Sequence, residues 1–122
     1  MANPKGRRIE TRFPDPLANP YLCFAALMMA GLDGVQNKIE PPAPLDQDIY
    51  EMSPEEKGNI KSTPGSLGEV LEALEADHEF LLKGGVFNKG LIETWIDYKR
   101  TRELAPVQLR PHPYEFFLYS DV

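Results

Sequence analysis

The chain has 122 residues, with 13 Lys and Arg against 19 Asp and Glu, a formal net charge of −6 and 42% hydrophobic residues. This length suits one small domain and excludes an arrangement of several domains. The hydrophobic content excludes disorder by composition, and the negative charge argues against nucleic acid as the main partner.

The first predicted element is a strand from Arg8 to Phe13. Charged residues alternate there with apolar or β-branched residues, a period of two that is typical of a strand with two different faces. This register places Arg8, Glu10 and Arg12 on one face. Pro14 then ends the strand, because proline cannot donate a hydrogen bond to a neighbouring strand.

A buried helix is predicted from about Pro20 to Leu32. Asn19 is a suitable N-cap, and a proline at the first helical position loses no hydrogen bond. Apolar residues are spread around this segment without a polar face, so we expect it to be buried on all sides. The apolar run is shorter than the roughly 20 residues of a membrane span, so we expect no membrane partner.

The composition of the N-terminal part predicts a cytoplasmic location. The single cysteine, Cys23, cannot form an intramolecular disulfide and lies in an apolar run, which fits a reducing compartment. The first residues lead directly into charged sequence, without the apolar segment of a signal peptide.

A long loop is predicted over residues 39–65, which contain five prolines and little periodic pattern. Loops longer than about 12–15 residues are usually functional or mobile. Tyr50 lies near the middle among acidic and amide residues, and we expect its ring to be exposed. Two interpretations of Tyr50 stay open at this point, a modification or docking site and an ordinary loop residue.

Two amphipathic helices and an apolar tail complete the chain. Ser66 and Glu69 form a capping box before a helix that extends to about Leu82, and Gly84 and Gly85 then stop it. A further helix is predicted over residues 89–103 with Asn88 as its N-cap, and Pro106 ends that region. The last segment, residues 104–122, is strongly aromatic, which requires a partner surface. The resulting fold class is α+β and helix-dominated, with one N-terminal strand, three helices, a long loop and an apolar C-terminal arm.

The strongest candidate site is the face shared by Arg8, Glu10 and Arg12. Arginines can hold a phosphate through paired hydrogen bonds and a carboxylate can hold a divalent cation, the combination that phosphoryl transfer requires. Alternating charges on an exposed strand equally form ordinary ion pairs, so both interpretations stay open. His78 and His112 have no further ligand at metal spacing and are predicted to be structural.

Several segments closely resemble the C-terminal part of bacterial type I glutamine synthetase. They cover nearly the whole chain in the same order, as KGRRIETRFPD at residues 5–15, ANPYL at 18–22, MAGLDG at 29–34, IYE at 49–51, PEE at 54–56, GGVF at 84–87 and RPHPYEF at 110–116. The resemblance implies an enzyme that joins ammonia to glutamate, using ATP to form a γ-glutamyl phosphate. We therefore expect residues 1–122 to be a C-terminal piece of the glutamine synthetase catalytic domain.

The resemblance also implies roles for individual residues. Glu10 is similar to a glutamate that binds a metal ion, Mg²⁺ or Mn²⁺, between ATP and glutamate. Arg12 resembles a catalytic arginine that contacts the glutamate carboxylate and the transferring phosphoryl group, and Lys5 and Arg8 resemble contacts to ATP. Tyr50 matches a tyrosine that is adenylylated in some members, a modification that lowers activity.

The partners implied by the resemblance are the remainder of the enzyme and further subunits. The arm at residues 104–122 is similar to a segment that inserts into the facing ring of a dodecamer of two hexameric rings. The loop at residues 39–65 is similar to the adenylylation loop, which implies an adenylylating enzyme as a partner.

The chain is several-fold shorter than a full-length member of the resembled family. It lacks the other metal carboxylates of that family, so we expect residues 1–122 to be inactive alone. The alternative is a non-catalytic interaction module, either a target for adenylylation at Tyr50 or a fragment that docks on intact glutamine synthetase.

Overall fold

The structure is a computed structural model that describes residue 6, residues 8–58 and residues 60–120. The chain divides into two compact units, of which the first ends at Pro44 and the second begins at Leu45. Helices supply all the regular secondary structure of the described residues. The prediction of a helix-dominated fold is therefore confirmed.

The predicted strand from Arg8 to Phe13 is wrong, and so is the α+β fold class. Residues 8–13 are neither strand nor helix, and all six are exposed. A strand is stabilised by backbone hydrogen bonds to a neighbouring strand, and the described part of the chain contains no strand that could supply them. Alternation of charged and apolar residues is thus compatible with a strand but cannot form one without a partner.

Helix α1 spans Pro20–Asn37 and belongs to the first unit. It begins at the predicted N-cap, where the Asn19 side chain accepts hydrogen bonds from the amides of Tyr21 and Leu22 at 3.0 and 3.3 Å. The helix extends beyond its predicted end and is closed by Lys38, which adopts the left-handed conformation with φ of 52°.

The expectation that α1 is buried on all sides is wrong. Met29 is the one buried residue of this helix, while large apolar side chains such as Tyr21 and Val35 are largely exposed. A helix with apolar residues around its whole circumference needs protein on every side. The described residues leave much of that surface uncovered.

The described residues of the second unit form six short helices, one 3₁₀ turn and one π-helical turn. The helices are α2 Pro54–Gly58, α3 Leu67–Ala76, α4 Glu79–Leu82, α5 Lys89–Lys99, α6 Ala105–Gln108 and α7 Pro113–Tyr119, with a 3₁₀ turn at Lys83–Gly85 and a π-helical turn at Arg100–Leu104. Sequence periodicity predicted the positions of α3 and α5 and missed α2, α6 and α7, whose lengths of four to seven residues are too short for a periodic pattern.

The predicted second helix is interrupted where α3 ends. His78 donates a hydrogen bond from its Nδ1 to the Leu74 and Glu75 carbonyls at 2.9 and 3.1 Å, which satisfies groups left open at the end of α3. The predicted stop at Gly84 and Gly85 is confirmed. Both have φ near +70°, at 67° and 69°, a conformation that glycine adopts without strain.

The π-helical turn lies directly before Pro106. The Ala105 amide donates to the Arg100 carbonyl, five residues earlier, so the chain continues in helical conformation from α5 into α6. In a regular α-helix the Pro106 ring would collide with the carbonyl four residues earlier. The wider π-helical turn avoids this collision, so the helical region continues past Pro106. The prediction that Pro106 ends this region is wrong.

The core of the second unit forms where α3 packs against α5 and the π-helical turn. Its buried side chains are Leu71, Leu81, Phe87, Ile92 and Ile96. Leu71 is the most completely buried of them, with 2% of its surface exposed. These few residues exclude water from the contact on which the unit depends.

An ion pair lies at the edge of this core. Arg100 donates from Nη2 to Oε2 of Glu75 at 2.6 Å, which joins α3 to the π-helical turn. The hydrogen bond from Arg100 and its positive charge lower the pKa of Glu75, and the same hydrogen bond raises the pKa of Arg100. The pair is therefore ionised at neutral pH.

Leu71→Ala is expected to lower the free energy of unfolding of the second unit by about 2–4 kcal/mol, because it leaves a cavity in the core. Urea denaturation followed by circular dichroism measures the change. Leu109→Ala is the matched control, since Leu109 is exposed, and should shift the value by at most about 0.5 kcal/mol. Equal effects of the two substitutions would contradict this assignment of the core.

Candidate functional site

The structure brings together two of the predicted site residues, Glu10 and Arg12. The Arg12 guanidinium donates from Nε to Oε1 of Glu10 at 2.7 Å, and its Nη2 lies 2.7 Å from the same oxygen. Their side chains are 59% and 87% exposed. An ion pair this open to solvent contributes little to folding and can exchange its partners for a ligand.

The other two predicted residues of this site are Arg8 and Lys5. Arg8 is exposed and pairs with neither Glu10 nor Arg12 within the described part of the chain. Lys5 lies outside the described residues.

A turn connects the Glu10–Arg12 pair directly to α1. The Asp15 side chain accepts a hydrogen bond from the Leu17 amide at 2.7 Å, and the Asp15 carbonyl accepts one from the Ala18 amide at 2.9 Å. Asn19 then caps the helix. Asp15, which lies between two prolines, therefore stabilises the turn between residues 8–13 and α1.

A divalent cation could use Glu10 as one ligand but not as its whole site. Oε1 of Glu10 is engaged by Arg12, and the carboxylate has a second oxygen. Mg²⁺ requires six ligands, several of them water or substrate oxygens. Among the described residues no group of three His, Cys, Asp or Glu side chains converges, so the donor set fits a site to which further protein or substrate oxygens contribute.

Tyr50 occupies a defined turn within the long loop. The Asp48 side chain accepts a hydrogen bond from the Tyr50 amide at 2.9 Å, and the Asp48 carbonyl accepts one from the Glu51 amide at 3.0 Å. The Tyr50 side chain projects from this turn with 93% of the residue exposed. The expectation of an exposed tyrosine is confirmed, and the turn fixes its backbone.

A capped helical turn follows Tyr50 closely. Glu56 accepts a hydrogen bond from the Ser53 amide at 2.8 Å, and the Glu56 amide donates to the Ser53 hydroxyl at 3.3 Å, which forms a capping box at the start of α2. Neither Asp48 nor Ser53 was predicted from the sequence as a support of Tyr50. The signals were present as Asp two residues before Tyr50 and as the S-P-E-E pattern of residues 53–56.

The C-terminal arm contains the short aromatic helix α7. His112 accepts a hydrogen bond from the Tyr114 amide at its Nδ1, and Glu115 accepts one from the His112 amide, so both cap α7. The Tyr114 and Phe117 rings stack at 5.5 Å between centroids, with both residues exposed. The arm therefore presents an aromatic surface that the described residues do not cover.

The second unit also has an open groove of about 440 Å³ between the end of α3 and α5. Its apolar floor consists of Ile92 and Ile96, and the Glu75–Arg100 ion pair lies at its rim. Tyr50, the predicted site residue of this unit, does not line the groove as the structure describes it. His78 lines it and uses Nδ1 to cap α3, in agreement with the structural role expected for it.

Comparison with known proteins identifies the family. The glutamine synthetase catalytic domain family matches residues 1–119. The glutamine synthetase of Streptomyces filamentosus is 64% identical over 121 residues, that of Streptomyces coelicolor 62% and that of Mycobacterium bovis 60%. The chain belongs to the glutamine synthetase family. This confirms the resemblance to the C-terminal part of these enzymes that the sequence segments indicated.

The chain spans about a quarter of the length of the glutamine synthetases that it matches. Each of the three alignments covers 99% of this chain, and the covered share of the relative is 26%, 26% and 25%. None of the helices in the described part of the chain is long and apolar enough to cross a membrane.

The capping box beside Tyr50 should respond to pH. Hydrogen bonds from the Ser53 amide, and secondarily from its hydroxyl, lower the pKa of Glu56. A carboxylate with a lowered pKa stabilises α2 at pH values above the ordinary pKa of glutamate, and this stabilisation disappears as pH falls through the lowered value. We expect an NMR titration to place the Glu56 midpoint below the ordinary range.

Ser53→Ala should move that midpoint upward, because it removes the hydroxyl. Ser62→Ala is the matched control in the same loop and should leave it unchanged. An unshifted Glu56 midpoint in the unsubstituted chain would contradict the capping box.

Proposed function

We propose that this chain supplies one edge of the active site of an ATP-dependent glutamine synthetase. In the reaction, the γ-carboxylate of glutamate attacks the γ-phosphoryl group of ATP, forming γ-glutamyl phosphate and releasing ADP. Ammonia then attacks the acyl phosphate carbon, and phosphate leaves as glutamine forms. The observation that carries the proposal is the solvent-open Glu10–Arg12 pair in a chain of this family.

Glu10 is proposed as one ligand of a divalent metal ion, Mg²⁺ or Mn²⁺. When bound, such an ion neutralises charge on phosphate oxygens. The carboxylate oxygen not held by Arg12 suits this role, and the exposure of Glu10 leaves space for other ligands. The remainder of the enzyme would contribute those ligands.

Arg12 is proposed to bind the glutamate carboxylate and the transferring phosphoryl group. Its guanidinium has five N–H donors, and its pairing with Glu10 occupies two nitrogens, so donors remain for an anionic ligand. A positive charge at this position offsets the negative charge that develops on the phosphoryl oxygens. Lys5 and Arg8 are proposed as contacts to ATP.

Residues 1–122 produced alone are proposed to be inactive. A single carboxylate on an exposed segment cannot fix a divalent ion against water, and catalysis of phosphoryl transfer depends on such fixed positions. The active form would be the larger enzyme, in which this chain and the remaining three-quarters share the site.

A hybrid enzyme tests these roles. In it, the present chain replaces the matching C-terminal quarter of the Streptomyces coelicolor glutamine synthetase, which is 62% identical to it. Glu10→Gln should raise the metal concentration needed for half-maximal activity by at least about 10-fold, since even indirect supports of a metal site have effects of this size. Arg12→Lys should lower kcat by about 10²-fold or more.

Glu40→Gln and Arg102→Lys are the matched controls, because they make the same chemical changes at exposed positions outside the site. They should leave the metal dependence and kcat unchanged. Full activity of the Glu10 and Arg12 variants would refute the proposal, and so would activity of residues 1–122 alone.

The Tyr50 turn and the C-terminal arm are proposed to serve regulation and assembly. Exposure of Tyr50 on a fixed turn supports its role as an adenylylation site, at which an adenylylating enzyme transfers AMP to the phenolic oxygen and releases pyrophosphate. The uncovered aromatic surface of α7 supports insertion of residues 104–122 into a neighbouring subunit of a dodecamer.

The alternative function, a non-catalytic interaction module, is favoured by the same exposure of Tyr50. It would make this chain a target for adenylylation, or a fragment that docks on intact glutamine synthetase. Incubation with an adenylylating enzyme and ATP, followed by intact-mass analysis, should show one added AMP on the chain and none on Tyr50→Phe. Tyr21→Phe is the control, because Tyr21 is also exposed. An unmodified mass, or modification elsewhere, would exclude Tyr50 as the site.

A further inference from the structure

Helix α1 carries a continuous apolar stripe that the described residues leave exposed. At 100° per residue, Tyr21, Phe24, Met28, Leu32 and Val35 lie within an arc of about 80° along roughly 21 Å of the helix. Each is between 46% and 85% exposed. A contiguous exposed apolar surface of this kind marks a contact with another protein surface.

Two glycines near the stripe indicate a close approach. Gly31 borders the stripe and Gly34 lies one turn nearer the helix end, both in the helix interior. A Cβ atom built at either position meets nothing within 4 Å. Glycine weakens a helix relative to alanine, and no neighbour within the described residues requires this small size.

The chemistry of α1 defines the surface that would cover it. Asp33 is the single charged residue of the helix, and it accepts a hydrogen bond from Asn37 at 2.8 Å. A charged partner surface would therefore find no complement along the stripe. The partner must be apolar and must bring its backbone or side chains close to Gly31.

The size of the relatives identifies the occupant. The matched glutamine synthetases are about four times as long as the share that this chain covers, and Met29 is the one buried residue of α1. We infer that the Tyr21–Val35 stripe, with Gly31 beside it, is the surface on which the remaining part of the glutamine synthetase polypeptide packs. This inference rests on the proposed function, because it requires that the chain act within the larger enzyme.

The position of α1 connects this packing to the candidate site. The Asp15 turn and the Asn19 cap lead directly from the Glu10–Arg12 pair into the first turn of α1. Docking of the stripe would therefore set the position of the pair relative to the rest of the enzyme. The stripe would act as a positioning surface and would not touch the substrates.

The inference predicts that Gly31→Ala has opposite effects on the stability of residues 1–122 alone and on that of the hybrid enzyme. Gly31→Ala should raise the helix content and thermal stability of residues 1–122 alone, because alanine favours the helix. In the hybrid with the Streptomyces coelicolor enzyme it should lower Tm by about 2–4 °C or more, because the added methyl group meets the packed surface. An unchanged or higher Tm of the hybrid would overturn the inference.

Phe24→Asp provides the second measurement. It places a charge in the stripe and should lower the Tm of the hybrid strongly, whereas Val86→Asp, at an exposed apolar residue outside both α1 and the C-terminal arm, should change it little. Equal shifts in Tm would count against the stripe as a packing surface.

Sedimentation of residues 1–122 tests whether a second copy of this chain covers the stripe instead. Self-association that Phe24→Asp abolishes, with no change in the hybrid, would replace the proposed partner by another copy of this chain.

These outcomes separate the inference from the function it rests on. Activity of the hybrid that depends on Glu10, together with Tm values insensitive to Gly31→Ala and Phe24→Asp, would overturn the stripe alone. A folded but inactive hybrid whose Tm responds as expected would support the packing surface and refute the catalytic role. A hybrid that fails to fold although the parent enzyme folds would contradict both.

Discussion

The packing of α3 against α5 is the contact on which the described second unit depends. Its buried residues are few, and a core of this size loses a large part of its stability when one side chain is shortened. The contact also fixes the neighbouring segments. The long loop enters α3 at its Ser66 cap, and the C-terminal arm leaves α5 through the π-helical turn. The loop and the arm are therefore held at their bases, while Tyr50 and the aromatic face of α7 remain exposed.

The candidate site differs from this packed core, because few contacts among the described residues hold Glu10 and Arg12 in place. Glu10 and Arg12 meet in an exposed ion pair, on a segment whose order comes from the Asp15 turn and from α1. Exposed ion pairs contribute little free energy, so this pair cannot impose a geometry on a substrate unaided. A site for phosphoryl transfer requires preorganised charges in a space that excludes water. The larger glutamine synthetase would supply that space.

Helix α1, like the candidate site, is left uncovered by the described residues. Its apolar stripe and its two unconstrained glycines are unfavourable in water and are explained by contact with a surrounding protein surface. A short turn held by Asp15 joins residues 8–13 to this helix.

The sequence by itself determined those features that depend on neighbouring residues. The caps at Asn19, Ser66 and Asn88, the glycine stop at Gly84 and the family membership were all readable from it, because side-chain-to-backbone hydrogen bonds and glycine conformation are local. At Ser66 the predicted cap is present, but one of its hydrogen bonds has a different partner from the expected one. Glu69 reaches back as expected but accepts its hydrogen bond from the Gly65 amide, one residue before the cap.

The tertiary structure decided whatever depends on distant partners. The alternation at residues 8–13 produces no strand because the described residues offer no neighbouring strand. The apolar circumference of α1 is not buried because those residues do not enclose it either. The pairing of Arg100 with Glu75, which are 25 residues apart in the chain, likewise follows from a contact that periodicity does not encode. Burial and strand pairing are properties of the surroundings of a segment, and a pattern of residues states only what surroundings it requires.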